Sequence, residues 1–120
     1  MSDDTLRRVR GICLALPEAF EQEAWGHPTF RVRKKMFAIY SDRTSSEGSA
    51  RPGLRCNAPL GVQAHLVRTE PAKYYVPAYV GAKGWIGLYP DECTDEEIRA
   101  HVQQSYFMVA PKRLQALVPE

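Results

Sequence analysis

Apolar residues recur at helical spacing near the start of the chain. Leu6, Val9, Cys13 and Leu16 share one face, with Ile12 beside them. The pattern predicts an amphipathic helix over residues 3–16. Ser2 can cap it, Asp3 and Asp4 complement the dipole of its first turn, and Pro17 ends it by excluding helical geometry from the residue before. The period then shortens toward two. Residues 20–25, 29–32, 36–40 and 54–57 read as strands, the second and third rich in β-branched and aromatic types. Arg33-Lys34-Lys35 must carry a turn without glycine, unlike the favoured two-residue hairpin chemistry. Residues 41–53 are polar and form a long loop.

The pattern resumes as a helix over 59–67 with Pro59 at its first position. Residues 71–79, interrupted by Pro77, read as irregular, and 84–89 as a strand. Thr94-Asp95-Glu96-Glu97 is a capping box that opens a helix with Ile98, Val102, Tyr106 and Val109 on one face. Residues 112–118 make a last turn. Consecutive strands joined by short turns, with helices at both ends, predict an α+β fold: an antiparallel sheet of about five strands with helices packed on one face. A chain of 120 residues suits a single domain, 1–120. No signal peptide is seen and no apolar run approaches the ~18 residues of a membrane span. Three widely spaced cysteines, Cys13, Cys56 and Cys93, suit free thiols in the cytoplasm.

Charge changes the picture by its placement. The net charge is only +2. Residues 31–55 nevertheless hold seven Lys/Arg against two acids, and residues 91–99 hold five acids against one base. Such polarity can orient a protein on an anionic partner. Arg31, Arg33, Lys34, Lys35, Arg55, Lys83, Lys112 and Arg113 are the candidate phosphate-binding residues, provided that the hairpin, the turn at 81–84 and the C-terminal turn share one face. Trp25, His27, Tyr79 and Trp85 are candidates for a small-molecule pocket. Catalytic and metal-binding residues are not recognised. The three histidines are far apart, the acidic run is explained by helix capping, and Gly81-Ala82-Lys83-Gly84 precedes a strand where a phosphate loop needs a helix.

The segments Trp25-Gly26-His27-Pro28-Thr29-Phe30-Arg31-Val32, Lys35-Met36-Phe37-Ala38, Tyr79-Val80-Gly81, Gly84-Trp85-Ile86-Gly87, Ser105-Tyr106 and Val109-Ala110-Pro111-Lys112-Arg113-Leu114 resemble the MmcQ/YjbR family, in the right order over nearly the whole chain. The resemblance implies an α+β sheet with helices on one side, related to the frataxin/CyaY-like architecture. It also implies DNA binding with hairpins acting as wings, and it brings no catalytic residue. Arg33-Lys34 replaces the glycine-containing turn common in that family and makes the hairpin more basic. The expectation is a monomeric, cytoplasmic, non-enzymatic protein without a cofactor, which binds DNA weakly through phosphates. The alternative is a ligand or protein-interaction module that uses the Trp25, His27, Tyr79 and Trp85 pocket.

Overall fold

Pleating sends successive side chains to opposite faces of a six-stranded sheet, and the central strands are buried on both. A computed structural model describes residues 2–42 and 51–118. The elements are α1 (Ser2–Leu14), β1 (Phe20–Ala24), β2 (His27–Val32), β3 (Lys35–Ser41), β4 (Gly53–Cys56), α2 (Val62–Thr69), β5 (Tyr74–Tyr75), β6 (Ile86–Leu88), α3 (Asp95–Val109) and α4 (Lys112–Gln115). Short 3₁₀ turns occupy Val80–Lys83 and Pro90–Glu92. The strand order is β1-β2-β3-β4-β6-β5, and every neighbouring pair is antiparallel. The side chains of Ser2 and Asp3, expected to cap α1 and to complement its dipole, and most of the expected 41–53 loop fall outside what is described.

One face of the sheet carries Phe30, Val32, Phe37, Ala38, Tyr40, Leu54, Cys56, Ile86 and Leu88 into a core. Val9 and Cys13 of α1, Ile98, Val102 and Tyr106 of α3, and Leu114 of α4 close over them. Phe37 and Tyr106 meet edge to face with centroids 5.4 Å apart. The Thr94 capping box forms as expected, with reciprocal bonds of 3.1 and 2.8 Å to Glu97. No helix among the described residues is long and apolar enough to cross a membrane.

Two differences from the sequence reading have physical causes. The sheet has six strands rather than five, because Tyr74–Tyr75 pairs with Leu88 and Gly87. A strand of two residues at a sheet edge is too short to show alternation. The β2–β3 turn is Arg33-Lys34 alone, since Lys35 already pairs with Val32. Arg33 absorbs the turn with φ 56°, a conformation that usually calls for glycine or asparagine. Arg8 and Arg10 anchor the first helix. Arg8 donates to the carbonyls of Pro90 and Cys93 and pairs with Asp95, while Arg10 grips Glu21 through two bonds of 2.6 and 2.9 Å. They tie α1 to the start of α3 and to the outer strand.

A β-bulge shapes the second face. Phe30 pairs with Ala38 and Arg31 with Met36, which leaves Phe37 as an extra residue. Phe37 and Ala38 both enter the core. The side-chain alternation is thereby shifted by one, and Met36 emerges on the same side as Ile39. Across this face, pairing aligns Thr29, Ile39, Arg55, Gly87 and Tyr75 in a single row over five strands.

Candidate functional site

The row Thr29-Ile39-Arg55-Gly87-Tyr75 is the floor of the candidate site. Arg55 sits mid-strand between Leu54 and Cys56, both of which point into the core. Its own side chain therefore lies on the side away from α1 and α3. Gly87 follows it in the row, and the Tyr75 ring lies over that glycine. A Cβ at Gly87 would stand 2.5 Å from the ring, so only glycine lets Tyr75 lie flat on the sheet. Tyr75 in turn stacks on Tyr89 at 4.7 Å, and the Arg51 guanidinium caps Tyr89 at 3.7 Å.

This arrangement buries Arg55 to 7% exposure. Among the described residues no carboxylate lies within ion-pair reach of it. Its Nε and the Tyr75 hydroxyl oxygen are buried without hydrogen-bond partners. The two side chains approach each other without completing an aligned bond. Burial raises the Tyr75 phenol to about 12, although the neighbouring Arg55 charge pulls it down. Buried polar groups are nearly always satisfied, and a buried charge without a counter-ion is costlier still.

A cleft of about 540 Å³ opens over this arginine, lined by Trp25, His27, Met36, Ile39, Arg55, Tyr79, Val80 and Lys83. Lys83 stands exposed at its rim, and no acid lines it among the described residues. His27 starts β2 and is partly buried. Burial first, and then the Arg55 charge, lower its pKa below the ordinary 6.5, while Asp42 works in the opposite direction. The imidazole is thus neutral at neutral pH.

Two aromatic side chains form the lips, and both sit on strained backbone. Trp25 and Gly26 are the central pair of the two-residue β1–β2 turn, with φ 54° and 79°. Positive φ at both positions is the mark of a type I′ turn, which favours asparagine or glycine where Trp25 stands. Tyr79 has φ 66° and ψ −66°, and Val80 N–H donates to the Ala78 carbonyl at 2.7 Å across it. This is the rare positive-φ γ-turn. Trp25 remains 74% exposed and Tyr79 90% exposed. Behind them, Gln63 of α2 steadies the covering segment by donating to the Gly81 and Trp85 carbonyls at 2.8 and 2.6 Å.

The structure therefore brings together three of the four expected pocket residues, Trp25, His27 and Tyr79. Trp85 is corrected: it is buried and does not line the cleft. Met36, Ile39 and Val80 are additions. The bulge that turns Met36 outward has no sequence signal, whereas the alternation Leu54-Arg55-Cys56 could have placed Arg55 opposite the core.

The eight basic candidates do not share one face. Arg55 and Lys83 belong to the cleft. Arg33, Lys34 and Lys35 lie at the β2–β3 tip, beside Val109 and Pro111, around a groove of about 640 Å³. Glu18 joins this tip to the C-terminal turn, with 3.1 Å to Arg33 and 3.5 Å to Arg113. Lys34, Lys35 and Lys112 are exposed and have no ion pair among the described residues. Arg31 lies part-way along β2 and donates to Thr29 Oγ1 at 3.0 Å.

The remaining titratable groups serve the scaffold. Lys73 pairs with Glu97 at 2.6 Å, and the Tyr74 hydroxyl meets His101 Nε2 at 2.8 Å. Cys13, Cys56 and Cys93 are buried free thiols, and burial raises the pKa of each.

The crystal structure of Deinococcus radiodurans protein DR2400, a DUF419 domain, is similar with a TM-score of 0.72 at 19% identity, over 90% of this chain and 80% of that one. At that identity the likeness is one of fold. No curated protein matches the chain. The family model described as YjbR matches residues 14–108, so the chain belongs to the YjbR family.

Proposed function

We propose that this protein is a non-enzymatic binding module whose working site is the Arg55 cleft, where it takes a small ligand. The observation that carries this reading is a buried arginine with no carboxylate partner among the described residues, beneath a cleft of about 540 Å³. That volume lies within the usual range for small-molecule sites, about 300–1,000 Å³. A ligand would supply the contacts that Arg55 lacks. The test is a thermal-shift screen of a mixed library of charged and neutral small molecules. Compounds that raise Tm in the parent protein should lose that effect in Tyr79→Ala. A library without a stabilising compound, or hits indifferent to Tyr79, would count against the cleft.

A second reading is weak, phosphate-directed DNA binding at the β2–β3 tip. It is supported by Glu18, which draws the tip and the C-terminal turn together and leaves Lys34, Lys35 and Lys112 projecting from one region. Each phosphate neutralised steepens the salt dependence of log K by about 0.9. Replacing Lys34, Lys35 and Lys112 with alanine should flatten that slope, and an unchanged slope would dismiss the tip. Either reading has the protein working as a cytoplasmic monomer. The unbridged, buried thiols suit that compartment, and sedimentation at working concentration checks the monomer.

A further inference from the structure

We infer that the ligand of the Arg55 cleft is a heteroaromatic phosphate monoester of about nucleoside monophosphate size, with its anionic group on Arg55 and Lys83 and its ring against Trp25 and Tyr79. This rests on the cleft being the working site and adds the chemistry of its occupant. Three independent features converge on it. The first is charge. Two cations, Arg55 on the floor and Lys83 at the rim, face the cleft, and no acid lines it among the described residues. A phosphate monoester carries a matching charge near neutral pH, and the planar guanidinium presents its donors in a fork that fits phosphate oxygens. The second is an open valence. Arg55 Nε is buried without an acceptor, in a side chain only 7% exposed. An anionic ligand would bring the acceptor that no described residue supplies to it.

The third feature is the lips. Trp25 and Tyr79 each hold a bulky ring at positive φ, a strained backbone conformation for a residue with a side chain. Both leave that ring in solvent at the mouth of the same cleft. Flat aromatic surface displayed in this way can receive a flat heterocycle by stacking. Met36, Ile39 and Val80 supply an apolar wall between the rings and the arginine. His27, neutral and beside Arg55, is placed to respond to a bound anion by taking up a proton more readily.

The test is calorimetric titration with three probes at low salt: adenosine 5′-monophosphate, adenosine and inorganic phosphate. The monophosphate should bind at least about tenfold more tightly than either part alone. Arg55→Met should weaken it by about tenfold or more, the loss expected for a hydrogen-bonded charge contact. Trp25→Ala and Tyr79→Ala should each weaken it by about fivefold or more. Saturation should raise the His27 pKa in an NMR titration. Alanine at Lys34, Lys35 and Lys112 should leave the affinity unchanged, since those residues lie outside the cleft. A cooperative melt of Arg55→Met shows that the fold is intact; if that variant does not fold, Arg55→Lys, which keeps the charge and loses the fork, takes its place.

The inference is overturned if the monophosphate fails to bind at millimolar concentration, binds no more tightly than adenosine, or binds equally well to the Arg55 variant. In those cases neutral compounds that still require Tyr79 in the thermal-shift screen would preserve the cleft as the working site. Their absence would remove both conclusions together.

Discussion

Arg33 and Arg55 are the same residue type in neighbouring parts of one sheet, and the fold treats them oppositely. Arg33 sits on a turn, half exposed, 3.1 Å from a Glu18 carboxylate that also serves Arg113. Arg55 sits mid-strand, shielded by a segment some twenty residues further along the chain, with its Nε unmet. Water and a flexible counter-ion make the first charge cheap and of little consequence. Their absence makes the second expensive. Density of basic residues in sequence points to the tip, whereas the energetic cost of each charge points to the cleft.

The contrast can be broken most forcefully at Gly87. Valine there collides with the Tyr75 ring, so Gly87→Val should cost about 2 kcal/mol in urea denaturation and expose Arg55 by displacing its cover. A smaller loss would mean that Tyr75 moves freely. Next in size is the sign test at the arginines themselves. Arg55→Met should stabilise the free protein by about 1 kcal/mol, because an unpaired buried charge gives way to a side chain of similar length. Arg33→Met should shift stability by less than about 0.5 kcal/mol. Destabilisation by Arg55→Met comparable with a core deletion would refute the picture of an unmet charge.

Trp25→Asn should raise stability by about 1 kcal/mol, since asparagine tolerates the left-handed backbone that tryptophan strains. Stability should also fall as pH drops through 6.5. Burial lowers the pKa of both His27 and His101, so below 6.5 the unfolded chain takes up protons that the folded chain refuses. Arg55 reinforces the lowering at His27 and Asp42 opposes it, while Glu97 and Glu70 oppose it at His101. Denaturation curves on either side of pH 6.5 check the direction, and His27→Gln should reduce the dependence. The smallest effect belongs to Glu18→Gln. It should alter stability by less than about 0.5 kcal/mol, yet steepen any salt dependence of DNA binding by releasing Arg33 and Arg113.

Local chemistry made much of the scaffold readable. The Thr94–Glu97 capping box, the α1 face from Leu6 to Cys13 and the β-branched and aromatic run of β2 are written over a few residues each, and all are present. The cleft was only partly readable. Trp25 and His27 were visible because a turn brackets them. Trp85 read as a pocket candidate, yet its side chain is buried, with Gln63 bonded to its carbonyl. Arg55 read as one more cation because its confinement depends on β5 and on the absence of a side chain at Gly87. Non-local pairing of a two-residue strand leaves no periodic trace in the sequence.

The outer strand β1 has a consequence of its own. Phe20–Ala24 pairs with β2 on one side only, and its other edge offers open backbone groups to any passing strand. Its sequence answers that hazard with Glu21 and Glu23, the first anchored by Arg10 and the second left exposed. Carboxylates on an open edge repel a like strand that approaches in register. The acidic residues of β1 thus act as guards of colloidal solubility, and neutralising Glu23 would be felt first in the concentration at which the protein can be stored.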